Sequence, residues 1–106
     1  MHSQIQRIIR HLLNLQYSPA AEPRWRWDES IEDARSEIEL LLEDSPSLAR
    51  EISQAVTTEL QRGSRRAIRD LEKYGELDDA AADRLRATTY TAEQILGDWF
   101  PSKNQG

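Results

Sequence analysis

Four arginines, Arg62, Arg65, Arg66 and Arg69, recur at spacings of three and four residues, and Lys73 extends the series. On an α-helix that spacing puts them on one face within about two turns. Forked guanidinium donors in such a row suit phosphate contact. The alternative is ionic. Residues 28 to 44 hold eight acids and one arginine, so an adjacent helix, of this chain or of another copy, offers the stripe carboxylate partners. Each exposed pair would contribute about 0–1 kcal/mol.

Other residues invite the same two-sided reading. His11 sits inside a strong helical pattern, where an imidazole could act as a general base. No serine flanked by glycines accompanies it, and a packed or hydrogen-bonded ring near Gln16 and Tyr17 is expected instead. His2 lies in a tail. Glu29, Glu32, Asp33 and Glu37 have helical spacings that could gather carboxylates for a divalent cation, but there is no Glu-x-x-His for a di-iron site, so a solvated acidic face is expected. Trp25 and Trp27 alternate with Arg24 and Arg26, a pattern that could stack bases and hold phosphates. The plainer expectation is that one tryptophan covers helix ends, Trp27 being the more buried, while an arginine pairs with Glu22 or with the acids that follow.

Composition removes several classes of chemistry. There is no cysteine, hence no disulfide, thiolate zinc site or cysteine nucleophile. No glycine-rich phosphate loop and no paired helix-turn-helix is found. The net charge of −5 opposes general nucleic-acid affinity. Arg7, Arg10 and His11 interrupt the apolar residues at the start, so neither a signal peptide nor a membrane span is expected there, and a cytoplasmic location is. No catalytic, cofactor or metal residue is assigned.

The elements that must position these groups read as helices within one domain of 106 residues, with Ser102 to Gly106 a frayed tail. Ile5, Ile8, Ile9, Leu12, Leu13 and Leu15 predict a helix from Gln4 to Tyr17 with a broad apolar face, stopped at Ser18-Pro19. Pro19 and Pro23 make Ser18 to Arg26 a connector. Ile31, Ala34, Ile38, Leu41 and Leu42 predict a second helix from about Asp28 to Asp44. Ser45-Pro46 restarts the chain, and helices two and three are expected to be antiparallel neighbours. The third should run from Pro46 to about Tyr74, with Leu48, Ile52, Ala55, Val56, Leu60, Ala67, Ile68, Leu71 and Tyr74 facing inward and Gly75 as its stop. Gly63, costly in mid-helix, is expected to permit close packing. A short helix should follow from Asp78 to Ala87. Thr91 to Gln94 has capping-box spacing for a last turn or two anchored by Ile95, Leu96, Trp99 and Phe100.

The string from His11 through Tyr17 to Pro19, then Trp27, Ile31 and the run Leu41 to Leu48, resembles the bacterial, especially cyanobacterial, family known as domain of unknown function twenty-nine. Thr91-Ala92-Glu93-Gln94-Ile95-Leu96 and Phe100-Pro101 resemble that family's ending, while the region from Arg62 to Arg86 matches least. The resemblance implies an all-helical fold and brings no activity, substrate or catalytic residue. Typical members carry further helix before the His11 segment. If such helices cover the first one, their absence here would leave Ile5, Ile8, Ile9, Leu12 and Leu13 partly exposed and seeking a partner.

The expectation is therefore an all-α, small irregular helical bundle of three main helices plus one or two short C-terminal ones. Functionally it is a noncatalytic interaction or assembly module. Its interface would be Ile5, Ile8, Ile9, Leu12, Leu13, Trp99 and Phe100, and its partner another copy or a different protein, with no membrane involved. The alternative is a small regulator, antitoxin-like by general analogy, contacting nucleic acid through Arg62, Arg65, Arg66 and Arg69.

Overall fold

Six isoleucines and leucines within eleven positions give the first helix an apolar arc wider than one neighbouring helix covers. The computed structural model resolves how it is covered; it describes residues 1–18, 24–73, 75 and 77–101, without the side chains of Arg24 and Trp25. The helices are α1 (His2–Tyr17), α2 (Arg24–Asp44), α3 (Ile52–Lys73), α4 (Asp79–Ala87) and α5 (Ala92–Leu96), with a 3₁₀ segment Pro46–Glu51 before α3. No strand occurs among the described residues. The all-α bundle with three main and two short helices is thus what the chain forms.

Helix α1 is central. It packs against both α2 and α3, whose Cα atoms nowhere come within 8 Å of each other, and α5 touches all three. Ile5, Ile8, Ile9, Leu12 and Leu13 are fully buried, joined by Ile31, Ala34 and Ile38 of α2, by Ala55, Val56, Ala67 and Leu71 of α3, and by Leu85, Tyr90 and Ile95. The expected partly exposed patch on α1 is therefore absent. The two flanking helices, with α5, cover the whole arc. The expectation that helices two and three would be neighbours also fails. The 3₁₀ segment contacts both of them and carries the chain from one flank of α1 to the other.

Several boundaries move for local reasons. Helix α2 begins at Arg24, so Arg24 to Trp27 belong to the helix and not to the connector. Pro46 opens a 3₁₀ stretch with no buried residue, and α-helical geometry starts at Ile52, where the apolar period of α3 begins to meet the core. Asp78 caps α4 by accepting from the Ala81 N–H at 2.8 Å. Thr91 and Gln94 form the anticipated capping box of α5, each side chain bonding the other's backbone. Gly75 follows α3 with φ of 68°, the left-handed conformation that glycine tolerates and other residues resist. The connector prolines, Tyr74 and the tail 102–106 lie outside the described residues.

Helices α1 and α3 approach closely at Gly63. A Cβ there would stand 2.6 Å from Ile9 Cγ2 and 3.0 Å from Ile9 Cβ. The glycine supplies close packing, as expected, and it does so against a branched side chain that cannot swing away. Gly63→Ala is expected to destabilise by about 1–3 kcal/mol in urea unfolding despite alanine's better helix propensity. Ile9→Leu, which moves the branch off Cβ, should recover part of that loss in the double variant.

The C-terminal segment is held by Arg35. Its Nε donates to the Ile95 carbonyl at 2.7 Å, and one terminal nitrogen donates to the carbonyls of Gln94 and Trp99 at 2.8 and 2.7 Å. These acceptors include the unpaired last-turn carbonyls of α5, where a cation is favoured. The same guanidinium lies 4.9 Å from the Phe100 ring centre. Arg35→Met, which keeps bulk and removes the donors, should cost about 3 kcal/mol in the same unfolding measurement. Arg35→Lys should restore only a fraction, since an ammonium cannot reproduce the fork.

Candidate functional site

Helix α3 has two polar systems on different sides. Its inward one begins with Glu59, whose position falls in the apolar period of Ile52, Ala55, Val56 and Gly63, so the carboxylate is carried into the seam with α1 and is fully buried. It accepts from Gln6 Nε2 at 3.1 Å and Arg62 at 2.9 Å, and His2 Nδ1 lies 2.7 Å away. Burial alone would raise its pKa, but these partners hold it below the usual carboxylate value. Near the other end of the seam Asp70 takes a two-pronged contact from Arg10, at 2.7 and 2.9 Å, and a third bond from Asn14 at 3.1 Å. Its pKa is likewise lowered against the effect of burial.

The outward system is the arginine stripe. Arg62, Arg65, Arg66 and Arg69 are all exposed and, with Gln6 of α1, line one shallow groove of about 310 Å³. Arg62 is engaged with Glu59, whereas Arg65, Arg66 and Arg69 have no carboxylate within ion-pair distance among the described residues. The expected neutralisation by α2 does not occur within the molecule, because α2 packs on the other flank of α1. The carboxylates of Glu59 and Asp70 are already turned toward α1. Beside the first groove lies a second of about 490 Å³, formed by Leu60, Ser64, Ile68, Arg86 and Thr88 among others, and Arg65 borders both. Together they make a cationic ridge with an apolar floor alongside. Such a surface can bind anionic groups by charge-assisted hydrogen bonds and accept one bulky apolar group; it contains no nucleophile paired with a base.

The remaining candidates go elsewhere. The apolar set Ile5, Ile8, Ile9, Leu12 and Leu13, expected as an interface, is core. Trp99 and Phe100 are half-buried and turned inward: Trp99 stacks at a tilt on Tyr90, with centroids 5.7 Å apart, and Phe100 lies under Arg35. Trp27 is half-buried against the core, while the Trp25 side chain, and so their comparison, lies outside the described residues. Glu29, Glu32 and Asp33 are exposed, and Glu37 is held by Arg7 at 2.9 Å and Gln4 at 3.1 Å. Among the described residues no three His, Asp or Glu side chains converge as metal ligands. Gln16 and Tyr17 do not serve His11. They bond Tyr90 and Thr88, tying the end of α1 to the chain around α4 and α5.

Arg35 escaped sequence reasoning altogether. Among eight acids it reads as a solvated partner for carboxylates, and its actual acceptors are backbone carbonyls some sixty positions downstream. Glu59 did leave a signal, a carboxylate in the buried phase of an amphipathic helix.

A family model described as Domain of unknown function DUF29 matches residues 1–100. No curated protein and no solved structure matches the chain. Among the described residues no helix is long and apolar enough to cross a membrane.

His11 carries a pH dependence that its surroundings explain. Its pKa falls from 6.5 to about 4, first because burial disfavours the imidazolium, then because Arg10 and Arg7 repel it, with Asp70 opposing. Below the unfolded value the unfolded chain binds a proton that the folded one refuses, so stability falls with pH from about 6.5 down to about 4. Allowing for the part of the ring that solvent reaches, the loss should be about 2 kcal/mol. Urea titrations at stepped pH should show this slope in the wild type and a flatter one in His11→Gln. The low-pKa carboxylates add their own loss further down.

Proposed function

Since the chain belongs to the family of Domain of unknown function DUF29, whose description names no activity, we propose from its surface that it is a noncatalytic docking module that holds a carboxylate-rich protein segment along the arginine face of α3. The observation that carries this reading is the set Arg65, Arg66 and Arg69, exposed in one groove with no carboxylate partner among the described residues. Three cations held side by side repel one another, and they lose that repulsion when an anionic partner is bound. The groove beside them, floored by Leu60 and Ile68, suits a protein segment better than a bare polyanion, because it can bury one apolar side chain near the charges. The proposed interface thus lies on α3, and not on the apolar residues of α1, which are core, or on Trp99 and Phe100, which are half-buried against it.

The same guanidinium groups also suit phosphates, which keeps a regulator on nucleic acid as the second reading. Against it stand the net charge of −5 and the absence of an aromatic side chain from the described residues that line either groove, since single-strand binders rely on stacking.

The test is fluorescence anisotropy at low salt with labelled poly-glutamate and, separately, a labelled single-stranded oligonucleotide. Poly-glutamate is expected to bind, to weaken as salt rises, and to lose about tenfold or more in affinity to Arg65→Gln/Arg66→Gln/Arg69→Gln. Equal binding by that triple variant would sink the docking reading. Clearly tighter binding of the oligonucleotide would transfer the face to nucleic acid.

A further inference from the structure

Resting on the proposed docking reading, we infer that the segment taken up by the arginine face is the α2 helix of a second copy of this chain, with Leu40 seated beside the stripe.

Among the described residues Leu40 is the one large apolar side chain left exposed, at 62%. It lies on α2, away from the core formed by Ile31, Ala34 and Ile38. Helical spacing surrounds it with Asp33, Ser36 and Glu37 on the turns before and with Glu43 and Asp44 on the turn after. Asp33, Glu43 and Asp44 are exposed and have no cationic partner among the described residues. This face therefore reads acid, apolar, acid along one stripe.

The receiving face has the matching composition. Arg62, Arg65, Arg66 and Arg69 run along α3 at the same three-and-four spacing, and the groove of about 490 Å³ next to Arg65 offers Leu60 and Ile68 as an apolar floor. A leucine entering that groove would bring flanking carboxylates toward the ridge. The two stripes do not satisfy each other within one molecule: α2 and α3 lie on different flanks of α1, and no ion pair joins them among the described residues. The match is therefore made between copies, through two unlike surfaces, which produces a head-to-tail contact that can continue from one copy to the next.

Mixing separates this inference from its premise. Arg65→Glu/Arg66→Glu/Arg69→Glu destroys the receiving face and keeps the α2 face. Leu40→Ser/Glu43→Lys/Asp44→Lys does the reverse. All six positions are exposed, and circular dichroism checks that both variants fold. Light scattering behind size exclusion at low salt should give a wild-type mass that climbs with concentration and falls as salt is added. Each variant alone should remain a monomer, and an equimolar mixture should contain a species of twice the monomer mass and nothing heavier. A wild type that stays monomeric throughout overturns self-docking, as does a mixture no heavier than its separate components. If the wild type is monomeric yet binds poly-glutamate through its arginines, only the identity of the partner is wrong. If poly-glutamate also ignores the arginines, the docking reading falls with it.

Discussion

The two-sided burial of α1 is the constraint on which everything else rests. An apolar arc that one helix cannot cover draws in two, and the two are thereby held apart. Ile9 against Gly63 fixes how closely α3 approaches, while Gln6, Arg10 and Asn14 on one side and Gln4 and Arg7 on the other pin the edges through Glu59, Asp70 and Glu37. The fully buried Glu59 gives back in desolvation much of what its pairing supplies, and the exposed pair of Arg7 with Glu37 adds little, so these bonds specify register more than they add stability. The separation of α2 from α3 then decides the electrostatics. The acids of one and the arginines of the other would neutralise each other if adjacent, and the core prevents that.

Local signals were legible in the residues themselves. The helix stop at Gly75, the capping box at Thr91 and Gln94 and the role of Gly63 all depend on neighbours in sequence or on the intrinsic geometry of one residue, and each is found where the pattern placed it. Non-local facts were not. The breadth of the α1 face was visible, but whether it met solvent or two helices depended on the path of the chain between Asp44 and Ile52, which composition does not encode. A lone arginine amid acids looks the same whether it faces water or, as Arg35 does, the carbonyl end of another helix.

The candidate site divides along the same line. The spacing of Arg62 to Arg69 gave the stripe directly, since helical period is a local property. That Arg65, Arg66 and Arg69 meet no carboxylate of α2 was hidden because it follows from the arrangement of α2 and α3. Leu40 shows the converse. It stands between Ile38 and Leu41 in an apolar run, and only the phase in which α2 meets α1 reveals that it points away from the core.

The central position of α1 also has a consequence for the order of assembly. This helix is synthesised before α2 and α3, and its last cover, Tyr90 and Ile95, is synthesised last. Nearly all its burial therefore depends on contacts distant in sequence, whose loops must close before any apolar surface is hidden. While the chain is being made, a helix with Ile5, Ile8, Ile9, Leu12 and Leu13 on one face waits uncovered. Until α3 is complete, the nascent protein presents the sticky surface that the finished one conceals, which makes chain elongation its period of greatest exposure to aggregation.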